Sequence, residues 1–394
     1  MNRWKDGGNR GVSAGNGAMM GMHEDGGISR RGFLGVAGLG LAGVAGALSG
    51  CGGTTNSQGG SAGSAVSGSG EAGKKAAKAD PVEVRVSSLK GPTTIGLVDF
   101  MDKASNEKTA GDYTNTYAFT MSTAADEILP QLIKGGVDIA LIPANAASVV
   151  YNKTKGKVTC LDINTLGVLS VVTGDTSVTK FADLAGRTVY LTGKGTTPEY
   201  SMNFLLDAAG IADGVTLEFK SEAAEVVSVV AADATAVGVL PQPFVTAALV
   251  KNKALSAPID LTTVWDETIA ADPAYEDKPS KLVTGVTLVR NEFLQDHPEA
   301  VAEFLEGQRA SVEAVNADPA AAAKLVVKQG IIEAEPVAAK AIPQCHLVCL
   351  TDSDLKDALP GYLEVLYNAD PASVGGALPG DDFYYDSTAS AAEA

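Results

Sequence analysis

The chain has 394 residues, 45% hydrophobic and 20% charged, with a formal net charge of −17. That length accommodates two domains or two lobes whose cores need no disulfide scaffold, and four Cys in so long a chain do not make one. The acidic excess leaves no basic face to neutralise phosphates, which argues against a nucleic-acid partner, and three His leave little for a His-rich metal site.

Residues 1–28 are polar and Gly-rich without periodicity. Ser29-Arg30-Arg31-Gly32-Phe33-Leu34 then leads into an uncharged run of 19 residues, Gly32 to Gly50, interrupted by five further Gly. Paired Arg before a moderately apolar segment reads as a twin-arginine export signal, and the run is a poor permanent membrane span. It closes on Leu48-Ser49-Gly50-Cys51, which resembles the bacterial lipobox. That resemblance implies a Cys51 thiol carrying diacylglycerol and an amine that often carries a further chain, the two signals stable anchoring requires. Residues 52–80 hold eight Gly, five Ser and one aliphatic residue, Val66, and cannot form a core. They read as a flexible tether with a root-mean-square reach of roughly 30 Å. Together these segments predict a body held at the outer face of the cytoplasmic membrane.

From Pro81 onward, strand and helix signals alternate, which predicts an α/β fold with largely parallel sheets. Val82–Val86 alternates as a strand and stops at Lys90-Gly91-Pro92-Thr93-Thr94, after which Leu97, Phe100, Met101 and Ala104 have helical spacing. Residues 124–134 read as a helix with Pro130 in or near its first turn. Val137–Ile142 is a strand ending at Pro143-Ala144-Asn145. The order then recurs. Thr188–Leu191 stops at Gly193-Lys194-Gly195-Thr196-Thr197-Pro198, a helix carries Met202, Leu205, Leu206 and Ala209, and Gly210 is its stop. Residues 222–232 read as helical, and the strand Ala236–Leu240 ends at Pro241-Gln242-Pro243. The remainder is mostly helical. Asp296-His297-Pro298 opens one helix with Asp296 as cap, Asp318-Pro319 opens another, and an amphipathic stretch covers Asp352 to Tyr367. Residues 271–281 read as a Pro- and charge-rich loop.

No catalytic apparatus is legible in this body. Gly193-Lys194-Gly195 is not a phosphate-binding loop, because Thr188 stands where its first Gly is required and Gly195 where Ser or Thr is required. It is no dinucleotide fingerprint either, since Pro198 replaces the third Gly. From Pro81 onward there is no GxSxG elbow and no HExxH. His297 reads as an exposed residue at a helix start. Cys345-His346-Leu347-Val348-Cys349 has metal-like chemistry, but only Cys160 and His297 remain as further ligands. On a strand, Cys345 and Cys349 would lie about 13 Å apart, too far for a disulfide. Core packing, a Cys160 bridge to one of them, and a metal site all stay open for this segment. No metal and no cofactor is expected.

Ligands of open α/β sheets bind beyond the carboxyl ends of strands, where helix N-termini offer free N–H groups and partial positive charge. Both Gly/Lys/Thr loops sit at such ends. The expected ligand-binding residues are therefore Lys90, Gly91, Pro92, Thr93, Thr94, Asn145, Gly193, Lys194, Gly195, Thr196, Thr197 and Gln242. The Thr hydroxyls are read as donors, Lys90 and Lys194 as charge, and Asn145 and Gln242 as polar ends of paired strands. The same residues are equally the makings of well-formed strand–helix turns.

Lys90-Gly91-Pro92-Thr93, Val137–Ala140 with Pro143-Ala144-Asn145, and Gly193–Tyr200 resemble solute-binding proteins of bacterial ABC importers. Leu240-Pro241-Gln242-Pro243-Phe244 and Gly375-Gly376-Ala377-Leu378-Pro379 are similar to the same group, the nitrate/sulfonate/bicarbonate-type set with the type II periplasmic-binding-protein fold. The likeness spans about residues 82–386. It implies a two-lobed clamp, 81–172 with 283–394 as one lobe and 173–282 as the other. Such a clamp is a non-catalytic monomer that binds a small anionic or zwitterionic solute and delivers it to a permease and its ATPase. Tyr113, Tyr117, Tyr200, Phe244 and Trp265 would equally shape a pocket for an aromatic or heterocyclic solute, as in pyrimidine-precursor relatives. The Cys-rich iron motif of the related pyrimidine-forming enzymes is missing. The alternatives are an exported metal- or cofactor-dependent enzyme on the same fold, favoured only by Cys345, His346 and Cys349, and a solute-sensing domain.

Overall fold

Residues 80–275 and 280–387 are described by the computed structural model. The expected export signal at Arg30 and Arg31, the lipidation site Cys51 and the tether up to residue 79 lie outside the described residues.

β1 (Glu83–Leu89) extends three residues beyond the alternating run read from the sequence. Ser87 and Ser88 are buried there, because β1 lies between β2 (Thr116–Ser122) and β3 (Ile139–Pro143), both parallel to it. β4 (Val158–Leu166), β10 (Val283–Arg290) and β11 (Leu347–Leu350) complete a six-stranded sheet in the order β11-β4-β10-β3-β1-β2. β1 to β4 run one way and β10 and β11 the other, so the pairs made by β10 are antiparallel. The second sheet has five strands: β5 (Leu169–Thr173), β6 (Thr188–Leu191), β7 (Thr216–Phe219), β8 (Val237–Pro241) and β9 (Ser256–Asp260), in the order β7-β6-β8-β5-β9. Here only β5 runs against the rest.

The chain passes from the first sheet to the second across Gly167 and Val168. A boundary after residue 172 therefore falls inside β5, which pairs with β8 and β9. The crossing needs a residue without a side chain. A Cβ on Gly167 would stand 3.1 Å from Leu282 Cδ2 and closer still to Thr262 Oγ1.

Thirteen helices connect these strands among the described residues. Around the first sheet lie α1 (Pro92–Ile95), α2 (Val98–Ser105), α3 (Ala125–Ile133) and α4 (Ala144–Thr154). The second sheet carries α5 (Thr197–Ala208), α6 (Ala223–Ala232), α7 (Phe244–Lys251) and α8 (Leu261–Ala271). The helical C-terminal part comprises α9 (Asn291–Asp296), α10 (Pro298–Ala317), α11 (Pro319–Lys328), α12 (Glu335–Ala341) and α13 (Asp352–Ala369). Two expected details differ. Pro130 sits inside α3, since the helix already starts at Ala125, and Asp296 ends α9, leaving His297 at the N-cap of α10 without a side-chain cap. Asp318 does cap α11, accepting from Ala321 N at 2.9 Å, and Gly210 ends the α5 segment at φ +68°.

One apolar cluster is continuous through both sheets. It joins Ile142, Val286 and Leu288 of the first to Val171, Val189 and Val239 of the second, with Trp265 of α8 and Leu355, Leu359 and Tyr362 of α13 between them. A second cluster packs Phe100 of α2 and Phe304 of α10 on Leu161 and Val289. At the end of the first sheet where β1 begins, Asp138 is a buried carboxylate between two cations. It accepts from Arg85 Nε (2.8 Å) and Nη2 (2.6 Å), from the Arg85 backbone N (3.0 Å) and from Arg290 Nη2 (2.9 Å). Burial alone would raise its pKa, but the hydrogen bonds from Arg85 and Arg290 outweigh burial and hold it below the ordinary value.

Candidate functional site: a cleft at the strand ends

The carboxyl ends of β1, β2 and β3 in the first sheet and of β6, β7 and β8 in the second border one cleft of about 960 Å³. This is the position a doubly wound sheet reserves for ligands, and the volume is at the upper end of small-molecule sites. One wall is Lys90, Pro92 and Thr93 after β1, Thr123 to Asp126 after β2, and Pro143, Ala146 and Val149 after β3. The facing wall is Thr192 to Pro198 after β6, Lys220 to Ala224 after β7, and Pro241 and Phe244 after β8. The turn from α11 to α12 adds Ile331, Ile332 and Glu333.

The N-termini of α3, α5 and α6 open on this space, and none carries a side-chain cap at its N-cap residue (Ala124, Thr196 and Glu222). The two long helices that are capped, α8 by Asp260 and α11 by Asp318, do not line it. First-turn N–H groups lack intrahelical acceptors, so uncapped ends facing a cleft leave donors and partial positive charge for a guest. Lys90, Lys153, Lys194, Lys220 and Lys251 line the same space against Asp126, Glu222 and Glu333, so the lining reverses the sign of the chain as a whole. Lys220 is held by Glu218 at 2.6 Å over the Tyr190 ring, and Lys194 stands 6.0 Å from the Phe219 ring. The turn before α5 depends on glycine. Gly193 has φ +80°, and a Cβ there would meet Thr196 Oγ1 at 2.6 Å.

The structure brings Lys90, Pro92, Thr93, Gly193, Lys194, Gly195, Thr196 and Thr197 to the lining. Gly91 and Thr94 belong to the same turn but stand behind it, with Thr94 wholly buried and its hydroxyl engaged by Leu89 O and Ser88 Oγ. Asn145 and Gln242 are likewise buried behind the lining. Asn145 Nδ2 donates to Ser373 O at 3.0 Å and, across the cleft, to Gly195 O at 3.4 Å. Gln242 Nε2 donates to Gln344 Oε1 at 3.0 Å, while its Oε1 accepts from Thr246 Oγ1 at 2.9 Å. Asn145 thus ties the two walls together, while Gln242 ties the end of β8 to the turn that follows α12.

The Thr hydroxyls are also engaged within the protein. Thr93 Oγ1 donates to Leu89 O at 2.9 Å and Thr196 Oγ1 to Gly193 O at 2.7 Å, while Tyr362 donates to Thr197 Oγ1 at 3.3 Å. The Gly195 amide donates to the Glu199 carboxylate. What the lining offers a guest is therefore backbone N–H at α3 and α6, ammonium groups, and an apolar side made by Val227, Phe244, Ile331, Ile332 and Val337. The loops after β2 and β7 are absent from the sequence-based site; neither Thr116–Ser122 nor Thr216–Phe219 holds a fully buried residue, and both are edge strands of their sheets.

Of the aromatic residues expected near a pocket, only Phe244 lines the cleft. Tyr113 packs tilted and Tyr117 edge-on against Phe100, and Trp265 is buried against Phe204 and Tyr362. Tyr200 borders a separate hollow of about 220 Å³ with Asp207 and Asp370. Cys160, Cys345 and Cys349 are free thiols. Only Cys349 lies on β11, since the strand begins at Leu347 after His346 takes a left-handed turn (φ +45°) and sets its Nδ1 against Gly167 O. Cys160 packs in the cluster between the sheets and Cys345 in another under α11, which keeps the two apart. Among the described residues, no three His, Cys, Asp or Glu converge as a metal site, and no helix is long and apolar enough to cross a membrane.

Residues 158–322 match the family model described as NMT1/THI5 like. No curated protein matches the sequence. Among solved structures, an ABC transporter protein from Parabacteroides distasonis is 23% identical with a TM-score of 0.62, over 77% of this chain and 99% of that one. The periplasmic aliphatic sulphonate binding protein SsuA from Escherichia coli is 13% identical with a TM-score of 0.56, over 74% of this chain and 86% of its own. The alkanesulfonate-binding protein SsuA from Xanthomonas axonopodis pv. citri, bound to MOPS, is 12% identical with a TM-score of 0.57, over 77% and 96%. The chain thus has the fold of the periplasmic substrate-binding proteins of ABC transporters, with an NMT1/THI5-like stretch from residue 158 to 322.

Proposed function

We propose that the chain is the extracytoplasmic solute-binding component of an ABC import system. One lobe is built on each sheet, and the lobes close on a small anionic or zwitterionic solute and present it to a membrane permease with its ATPase. The observation that carries this reading is the cleft itself. Uncapped helix ends from both walls and five lysines face three carboxylates, in a molecule that is otherwise strongly acidic. Binding rather than catalysis fits a lining that offers donors and charge without a nucleophile–base pair. The apolar side under Phe244 and Ile332 suits a solute with a hydrocarbon portion beside its charged head. The protein works as a monomer, exported through the twin-arginine route by Arg30 and Arg31 and anchored by acylated Cys51.

A thermal-shift panel of sulfonates, carboxylates, oxyanions and heterocycles tests the binding function. A solute at about 100 times its dissociation constant adds about 2.7 kcal/mol of stability. A panel in which anions leave the melting temperature unmoved while neutral heterocycles raise it would discard the anionic assignment. Incorporation of labelled fatty acid that Cys51→Ser abolishes tests the anchor.

A further inference from the structure

Outside the cleft, the first sheet buries a carboxyl group that has no ion-pair partner among the described residues. Asp162 of β4 is wholly out of solvent. Its strand carries one extra residue, Leu161, where the register with β10 shifts between Thr287 and Leu288. The bulge turns Asp162 toward α10, while Cys160 stays on the opposite face with α4 and α13. Thr287 Oγ1 and Gln308 Nε2 each donate to Asp162 Oδ1 at 3.1 Å. Gln308 Nε2 also donates to Thr287 Oγ1 at 3.2 Å, as does Asn164 Nδ2, so both hydrogens of the Gln308 amide are engaged. Two buried atoms of this pair are left without partners: Asp162 Oδ2 and Gln308 Oε1. With an ionised carboxyl both are acceptors, and two orphaned acceptors plus an unpaired charge are strongly unfavourable in a sheet interior.

One proton removes all three penalties. We propose that Asp162 is held as the neutral acid and donates its Oδ2 proton to Gln308 Oε1, closing a cyclic acid–amide pair with the N–H to Oδ1 bond already present. Burial pushes the Asp162 pKa up to about 7, against the lowering influence of Thr287, Gln308 and Arg309. The charged and titratable groups that act on it or feel its charge are Arg309 of α10, Cys349 of β11 and Cys160 of its own strand, with Glu313 of α10 acting on Cys349. Arg309 is drawn off to Thr351 Oγ1 at 3.0 Å. β10 and α1 contribute none, since Arg290, at the far end of β10, belongs to Asp138. The pair also underlies the cleft floor. A Cβ on Gly285 would come within 2.5 Å of Thr93 Cγ2 and 2.6 Å of Asn164 Oδ1, so Thr93 on the lining rests one residue's thickness above the network. Because the folded pKa is raised, the stability this pair contributes is fully present below the ordinary carboxylate range and is lost as pH rises through about 7.

Carboxyl 13C shifts of the protein labelled at Asp test the proposal directly. One Asp titrates with a midpoint near 7, about a thousandfold tighter for protons than an ordinary Asp. Asp162→Asn places an NH2 where the acid proton stood, so it removes that resonance and flattens the fall in Tm between pH 5 and pH 8. If all Asp carboxyls titrate below pH 5, or the high resonance persists in Asp162→Asn, the assignment is wrong. Should that variant not fold, Gln308→Leu decides instead, because deleting the amide must move the midpoint and an unmoved midpoint overturns the pairing.

Discussion

Replacing Asp138 with Ala removes the anion shared by Arg85 and Arg290 at the end of the first sheet away from the cleft. The carboxylate accepts three side-chain bonds and one backbone bond while only 1% exposed. Breaking a buried ion pair from one side costs about 3–5 kcal/mol, chiefly because a buried charge loses its partner. The two guanidinium groups are not equally stranded. Arg290 is 17% exposed and also holds Glu292, whereas Arg85 is 38% exposed and can turn to water. The expected loss is therefore at the lower end, about 3 kcal/mol at pH 7. The folded pKa of Asp138 is depressed, so this contribution exists above the ordinary carboxylate range and vanishes as pH falls through the folded value. Urea unfolding at pH 7 and at pH 2.5 should show the two proteins converging in acid, with solute affinity at pH 7 unchanged. A loss under about 1 kcal/mol, or a gap as large at pH 2.5 as at pH 7, would refute the reasoning.

Lys90→Gln or Lys194→Gln should each weaken binding of an anionic solute about two- to fivefold at low salt, and titration calorimetry at 0.5 M salt should show the difference shrinking. Asn145→Leu leaves the Ser373 and Gly195 carbonyls without their donor and should cost about 1–2 kcal/mol in chemical unfolding. Gly307→Ala drives a methyl to 2.8 Å from Phe100 Cζ and should destabilise by about 1–3 kcal/mol, read as a lower thermal midpoint. Leu359→Ala empties a wholly buried position of α13 and should cost about 2–5 kcal/mol.

The strands that were legible from sequence are those whose pattern is local. β3 and β8 are nearly continuous apolar runs closed by Pro143 and Pro241, and β1 and β6 stop at glycine-bearing turns. β10 and β4 went unread because their partners lie far along the chain, and nothing near Val283 or Val158 announces an antiparallel pairing. Site residues divide the same way. Position at a strand end is written locally, so the lining around Lys90 and Gly193 is found. Whether a hydroxyl or amide faces the guest or the protein is settled by remote partners, such as Ser373 for Asn145, Gln344 for Gln242 and Tyr362 for Thr197. The aromatic residues show the limit of composition, since Trp265 is buried in the core and Tyr117 packs half-buried on Phe100, through ring contacts that no spacing encodes.

The apolar cluster that runs without a break from Val286 to Val239 through Trp265 and Tyr362 bears on how the molecule melts. Each wall also has a cluster of its own, Phe100 with Phe304 on one side and Val230 with Val245 on the other, but both rest on the shared one, which the loss of either wall would lay open. Heating should therefore give a single calorimetric peak whose van't Hoff and integrated enthalpies agree, and an excised half should behave as a collapsed, protease-sensitive fragment.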